Sequence, residues 1–176
     1  MSCGVLRRFA TVLVLALWMG GFTFYAEIII PTAAHVLHSE RHVGFITEQV
    51  TNWLNLIGLA ALAVFLWNLI AEWGRQPAER RRWLAVSWGT MALAHAGLFA
   101  THPLIDRLLD IQAHTIRDDD RFLMLHNVYL TFATTQWVAA LIYTWLSLCA
   151  WRHDDRQAAI ASANGAAVPR SEPASR

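Results

Sequence analysis

Four apolar stretches run along the chain, roughly Phe9 to Ile30, Leu54 to Trp73, Trp83 to Phe99 and Leu125 to Trp151, each broken only by isolated polar positions. The hydrocarbon core of a bilayer is about 30 Å thick and takes about 20 helical residues to cross. In hydrocarbon every backbone N–H and C=O must find its partner internally, so segments of this kind are helices. The pattern therefore predicts an all-α fold: an antiparallel four-helix bundle integral to a membrane, built as a single domain over residues 1–151. Residues 152–176 are rich in Ala, Ser, Pro and charge and show no apolar period, which predicts a disordered tail.

The connections differ in kind. Glu72 to Arg82 is short and basic and contains Pro77, so the second and third helices should be neighbours. On the other side, Pro31 to Thr51 suits a helix begun by Pro31. Pro103 to Ile111 places Leu104, Ile105, Leu108, Leu109 and Ile111 on a broad apolar face suited to a short helix lying in the membrane interface. The first apolar stretch follows Arg7 and Arg8 as a leader peptide would. It runs on through Gly20, Gly21, Phe22, Phe24 and Tyr25 with no small-x-small cleavage site before Ile30, so an uncleaved helix is expected.

Charge orients the helices. Arg7, Arg8, Arg75, Arg80, Arg81, Arg82, Arg152 and Arg156 lie on one side of the predicted bundle, whereas the other side has fewer Arg and carries Asp106, Asp110 and Asp118 to Asp120. The excess of cationic residues on cytoplasmic loops then places both termini in the cytoplasm. Trp73, Trp83 and Trp151 sit at the same ends of their helices, at the depth where an amphipathic ring meets the headgroups. Composition agrees: 56% of residues are hydrophobic and 15% charged, against about 45 to 50% and about 25% in soluble domains. The near-neutral balance, with a net charge of +1, argues against nucleic-acid binding. Cys3 and Cys149 stand at opposite ends of the chain and exclude a disulfide framework or a CxxC motif.

Ionisable and amide side chains inside a membrane are costly, and their positions point to function. Here they gather toward the side opposite the Arg-rich connections. Glu27, Asn52, Asn55, His95, His126 and Gln136 are expected to line a ligand-binding pocket there. On the fourth helix His126, Tyr129, Ala133, Gln136, Ala140 and Tyr143 recur at steps of three and four, a stripe that should face other helices. Imidazole and carboxylate suit transition metals, and two such groups four residues apart on a helix can share one ion. His38 with His42, and His102 with Asp106, satisfy that spacing if their helices are continuous. His35 lies on the same predicted face as His38 and His42, and Asp110 follows Asp106 if the helix runs on past Pro103.

His95 and His126 form a candidate axial pair for haem b. A proton or solute path is disfavoured because the opposite half offers only Ser87, Thr90, Asn68 and Tyr143. Asp118, Asp119 and Asp120 read as an N-terminal cap on the fourth helix. No nucleophile stands beside a base, so no enzyme is expected. The readings left open are a binding protein for a metal ion or small polar ligand, a haem protein, and a structural or accessory subunit without ligand. The expected partners are the lipid bilayer and a second copy or another membrane protein.

The stretch from Gly20 to Gly58, with GGFTFYAEIIIP and VGFITEQVTNWLNLIG, resembles small four-helix bacterial membrane proteins grouped under a domain of unknown function and related to animal transmembrane protein 205. HPLIDRLLD from His102 and LHNVYLTFATTQWVAAL from Leu125 resemble the second half of those proteins. The resemblance implies a four-helix integral membrane fold in the bacterial inner membrane. Through the animal relative it also suggests metal handling, and it assigns no role to any residue.

Overall fold

A computed structural model describes residues 3–38, 40–110 and 115–166. Helix α1 (Cys3–Phe24) passes through a π-helical turn (Tyr25–Ile29) into α2 (Ile30–Leu37), and Gly4–Leu37 is one continuous rod. Helices α3 (Glu40–Glu72), α4 (Ala78–Asp106) and α5 (Asp119–Ala166) follow, with the short strands β1 (Leu109–Asp110) and β2 (Thr115–Ile116) between the last two.

The π turn has a cause in the sequence. Pro31 has no N–H to donate to the carbonyl four residues back, and its ring crowds that carbonyl. The ladder widens just before it, and the Ile30 N–H reaches the Tyr25 carbonyl five residues back. Pro31 thus does not start a new helix. The rod continues to Leu37 and stops at His38, whose φ of 49° and ψ of 29° are left-handed and end the ladder. The predicted helix over Pro31 to Thr51 is instead divided between two long helices.

On the far side of α4 the predicted interfacial helix is also replaced. Pro103 lies within α4, which runs one further turn to Asp106. Leu109 then pairs with Ile116, and Asp110 with Thr115, in an antiparallel ladder; Ile111 lies outside the described residues. Asp118 accepts a hydrogen bond from the Arg121 N–H at 3.0 Å and caps α5 as expected. Helix α5 then runs 48 residues, about 72 Å at 1.5 Å per residue. Its last part, from Arg152 to Ala166, replaces the start of the predicted disordered tail. Ala158, Ala159, Ala161 and Ala163 favour helix there, and no Gly or Pro intervenes before Gly165.

The long helices pack in chain order, α1 against α3, α3 against α4 and α4 most extensively against α5, with a thin contact between α1 and α5. Trp18, Leu62, Phe65, Leu84, Met91, Ala140 and Tyr143 form the core, and Phe65 stacks on Tyr143 with centroids 5.1 Å apart. The outside is apolar as well: Leu93 is 75% exposed, Trp145 69% and Trp53 65%. Among the described residues, three helices are long and apolar enough to cross a membrane: Gly4–Leu37, Ile46–Glu72 and Ala78–Asp106. Helix α5 is long enough but less apolar. Its inward side carries Gln136, Tyr143 and Ser147, and Thr131, Thr134 and Thr135 line a groove against α4.

Candidate functional site

Inward-facing polar side chains form two clusters, one toward the Asp106 end and one toward the Arg7 end. The first is centred on His95 of α4. Its Nδ1 lies 2.8 Å from Gln136 Nε2 of α5. With the amide nitrogen donating, Nδ1 is the acceptor and the ring proton sits on Nε2, a buried atom without a hydrogen-bond partner among the described residues. The ring meets Trp18 edge-on at 6.5 Å and Phe99 at 5.1 Å.

Gly58 of α3 makes this junction possible. A Cβ there would stand 2.8 Å from both His95 Cε1 and Trp18 Nε1, well inside contact distance. Above His95, the Tyr129 hydroxyl donates to Asn55 Oδ1 at 3.1 Å, and His102 Nδ1 lies 2.8 Å from Asp106 Oδ2. The His102 and Tyr129 rings are 6.1 Å apart. Between Trp18, Asn55, Leu98, Tyr129, Gln136 and Trp137 is a cavity of about 20 Å³, large enough for one water molecule.

Of the residues expected to line a ligand pocket, Asn55, His95 and Gln136 are therefore buried together, and His102 with Asp106 adjoins them. Glu27, Asn52 and His126 are exposed instead. Glu27 lies in the π turn, and His126 stacks on Phe122 at 5.9 Å. His38 and His42 do not share one helix, because His38 terminates α2 and His42 belongs to α3; the His42 side chain lies outside the described residues. His102 and Asp106 do share a face of α4, where they bond to each other.

Haem b does not fit between His95 and His126. His95 is level with Gln136, and His126 stands ten residues earlier, about 15 Å along α5. Among the described residues no group of three or more His, Cys, Asp and Glu side chains is placed to hold a metal ion.

The second cluster was not anticipated from sequence. Arg7 and Glu72, 4% and 1% exposed, form a buried ion pair between α1 and α3. Gln76 Nε2 donates to Glu72 Oε2 at 3.2 Å and to Asp154 Oδ1 at 3.1 Å, and Arg80 donates to Gln76 Oε1 at 3.0 Å. Deeper in, Asn68 Nδ2 donates to the Tyr143 hydroxyl at 3.1 Å and Ser147 Oγ at 3.3 Å, while the Tyr143 hydroxyl donates to the Phe65 carbonyl at 2.7 Å. The available signal was spacing. Asn68, Glu72 and Gln76 recur every four residues, as do Arg7 and Thr11, and the α5 stripe continues from Tyr143 to Ser147. Leu62, Phe65, Met91 and Ala140 separate this cluster from the His95 group.

These contacts place the start of α1, the end of α3, the start of α4 and the last part of α5 at one end of the molecule. Chemically, both clusters tie helices together: Asn55 with Tyr129, His95 with Gln136, Arg7 with Glu72 and Asn68 with Tyr143 each pair polar groups on different helices. No protein-family model, curated protein or solved structure matches the chain.

Proposed function

We propose that the chain is a multi-pass protein of the bacterial inner membrane, with four antiparallel helices and both termini cytoplasmic, acting as a structural or accessory subunit rather than an enzyme. Its apolar exterior and the charge asymmetry of its connections support the membrane reading. The observation that carries the accessory role is the pairing of Asn55 with Tyr129 and of His95 with Gln136 between different helices, beside a cavity of about 20 Å³. Buried polar pairs of this kind fix which helices meet and in what register. The resemblance to the relatives of transmembrane protein 205 belongs to the same proposal and rests on the sequence stretches alone.

A second reading keeps a metal ion or small polar ligand at this end, favoured by the buried Nε2 of His95, which has no hydrogen-bond partner of good geometry among the described residues. One preparation separates the two. The protein purified from membranes and subjected to absorption spectroscopy and elemental analysis should show no Soret band and no stoichiometric metal. A stoichiometric metal abolished by His95→Leu would replace the accessory role with the binding one. For topology, a reporter fused after Gly165 should work only if it is active in the cytoplasm; periplasmic activity overturns the orientation.

A further inference from the structure

We propose that Arg8, Trp151, Arg152 and Arg156 form a docking site for one anionic phospholipid, with the phosphate held by the arginines and the acyl chains lying along α5. The proposal rests on the membrane reading above. These residues line an open groove of about 470 Å³ together with Leu148, Asp155 and Ala159.

The charge in this groove is unbalanced. Arg8 Nη1 donates to both oxygens of Asp155, at 2.8 and 3.0 Å, and its guanidinium lies 5.6 Å from the centre of the Trp151 ring. Asp155 is thereby engaged, and the neighbouring Asp154 accepts from Gln76. Arg152 and Arg156 stand one turn apart, both exposed, with no ion pair recorded for either among the described residues. Two like charges at that spacing repel. An anion between them would relieve the repulsion, and Arg binds phosphate oxygens through parallel N–H donors.

Geometry selects a lipid over a free phosphate. Val138, Leu141, Trp145 and Leu148 recur at steps of three and four on α5 and are all exposed, and the next turn of the same face carries Arg152. From Val138 to Leu148 is ten residues, about 15 Å of helix, which equals half of the roughly 30 Å hydrocarbon core. An apolar strip one leaflet long that ends in paired cations matches the shape of a phospholipid, whereas inorganic phosphate would use only the cationic end. Basic pockets at the cytoplasmic ends of membrane helices bind anionic headgroups in this manner.

The test uses the delipidated full chain in detergent, titrated with phosphatidylglycerol or phosphatidylcholine and read by native mass spectrometry. Phosphatidylglycerol should bind at one site in preference to phosphatidylcholine. The Arg152→Gln/Arg156→Gln double variant should weaken that binding about 30-fold and leave phosphatidylcholine unchanged. Both arginines are exposed, so this variant should keep its fold. Arg75→Gln/Arg82→Gln, which removes two exposed cations at the same end but outside the groove, should leave the affinity within about twofold.

Equal losses in the two variants would reduce the effect to general charge and overturn the site, as would equal binding of the two lipids. Displacement of the lipid by millimolar inorganic phosphate would reassign the groove to a soluble anion. Release of the wild-type chain from membranes by an alkaline carbonate wash would refute the membrane reading itself, whatever the lipid titration gives.

Discussion

Replacing Glu72 by Ala is the sharpest probe of the packing. Glu72 is 1% exposed and Arg7 4%, and each is the other's only ion-pair partner recorded among the described residues. Removing the carboxylate leaves a guanidinium confined among helices, and breaking a buried pair from one side costs about 3 to 5 kcal/mol. Gln76 also loses the acceptor that it reaches at 3.2 Å, worth about 1 kcal/mol. Arg7 lies near the start of α1, where a flexible stem can bring its charge back to water, so the lower end of the range, about 3 kcal/mol, is expected.

The double variant Arg7→Leu/Glu72→Leu removes both charges and should lie within about 1 kcal/mol of wild type, because an apolar pair can replace a buried ion pair at little cost. The assay is equilibrium unfolding in mixed detergent micelles, followed by circular dichroism, for wild type, Glu72→Ala, Arg7→Leu, Glu72→Leu and the double variant. With each single variant losing about 3 kcal/mol and the double variant about 1 kcal/mol or less, a coupling energy of about 5 kcal/mol is expected. Additive effects, or a Glu72→Ala loss below about 1 kcal/mol, would show that the two charges are not paired in the interior.

Three further outcomes follow from the same contacts. Gly58→Ala should lose about 1 kcal/mol net, since crowding of His95 and Trp18 outweighs the gain in helix propensity; Gly20→Ala, whose Cβ meets nothing within 4 Å, should gain up to about 1 kcal/mol in the same unfolding assay. Tyr143→Phe should cost about 1 to 2 kcal/mol, because the Phe65 carbonyl and the Asn68 amide lose a partner in the interior; a change within error would mean that these groups find others. Pro31→Ala restores the missing N–H and should convert the π turn to α-helix, rotating α2 by about 100° relative to α1; unchanged distances between spin labels on α2 and α3 would show that tertiary packing, not Pro31, imposes the turn.

Helix formation was legible along the chain because its causes are local. Apolar run length, the turn at Pro77 and the Asp118 cap each act within a few residues, and all three appear where the pattern puts them. Helix ends were less legible. Pro31 reads as a start but is absorbed by a π turn, His38 stops the rod with a residue that carries no strong stop signal, and α5 outruns its apolar stretch on alanine propensity and on the contacts of Asp154 with Gln76 and Asp155 with Arg8.

The clusters show the same division between local and long-range causes. The stripe from His126 to Tyr143 was readable from its period in part: Ala133, Gln136, Ala140 and Tyr143 are buried, Tyr129 is half-buried and His126 is exposed. Whether Glu27 would join His95 depended on how a π turn rotates one face of α1, which no spacing rule supplies. Arg7 counts as a cytoplasmic charge in sequence and becomes an interior cation only because Glu72, 65 residues away, meets it there. The sequence by itself determined the helices and an apolar exterior, through contacts within a turn or two. Tertiary structure decided which polar groups face one another, because that depends on the register between helices far apart in the chain.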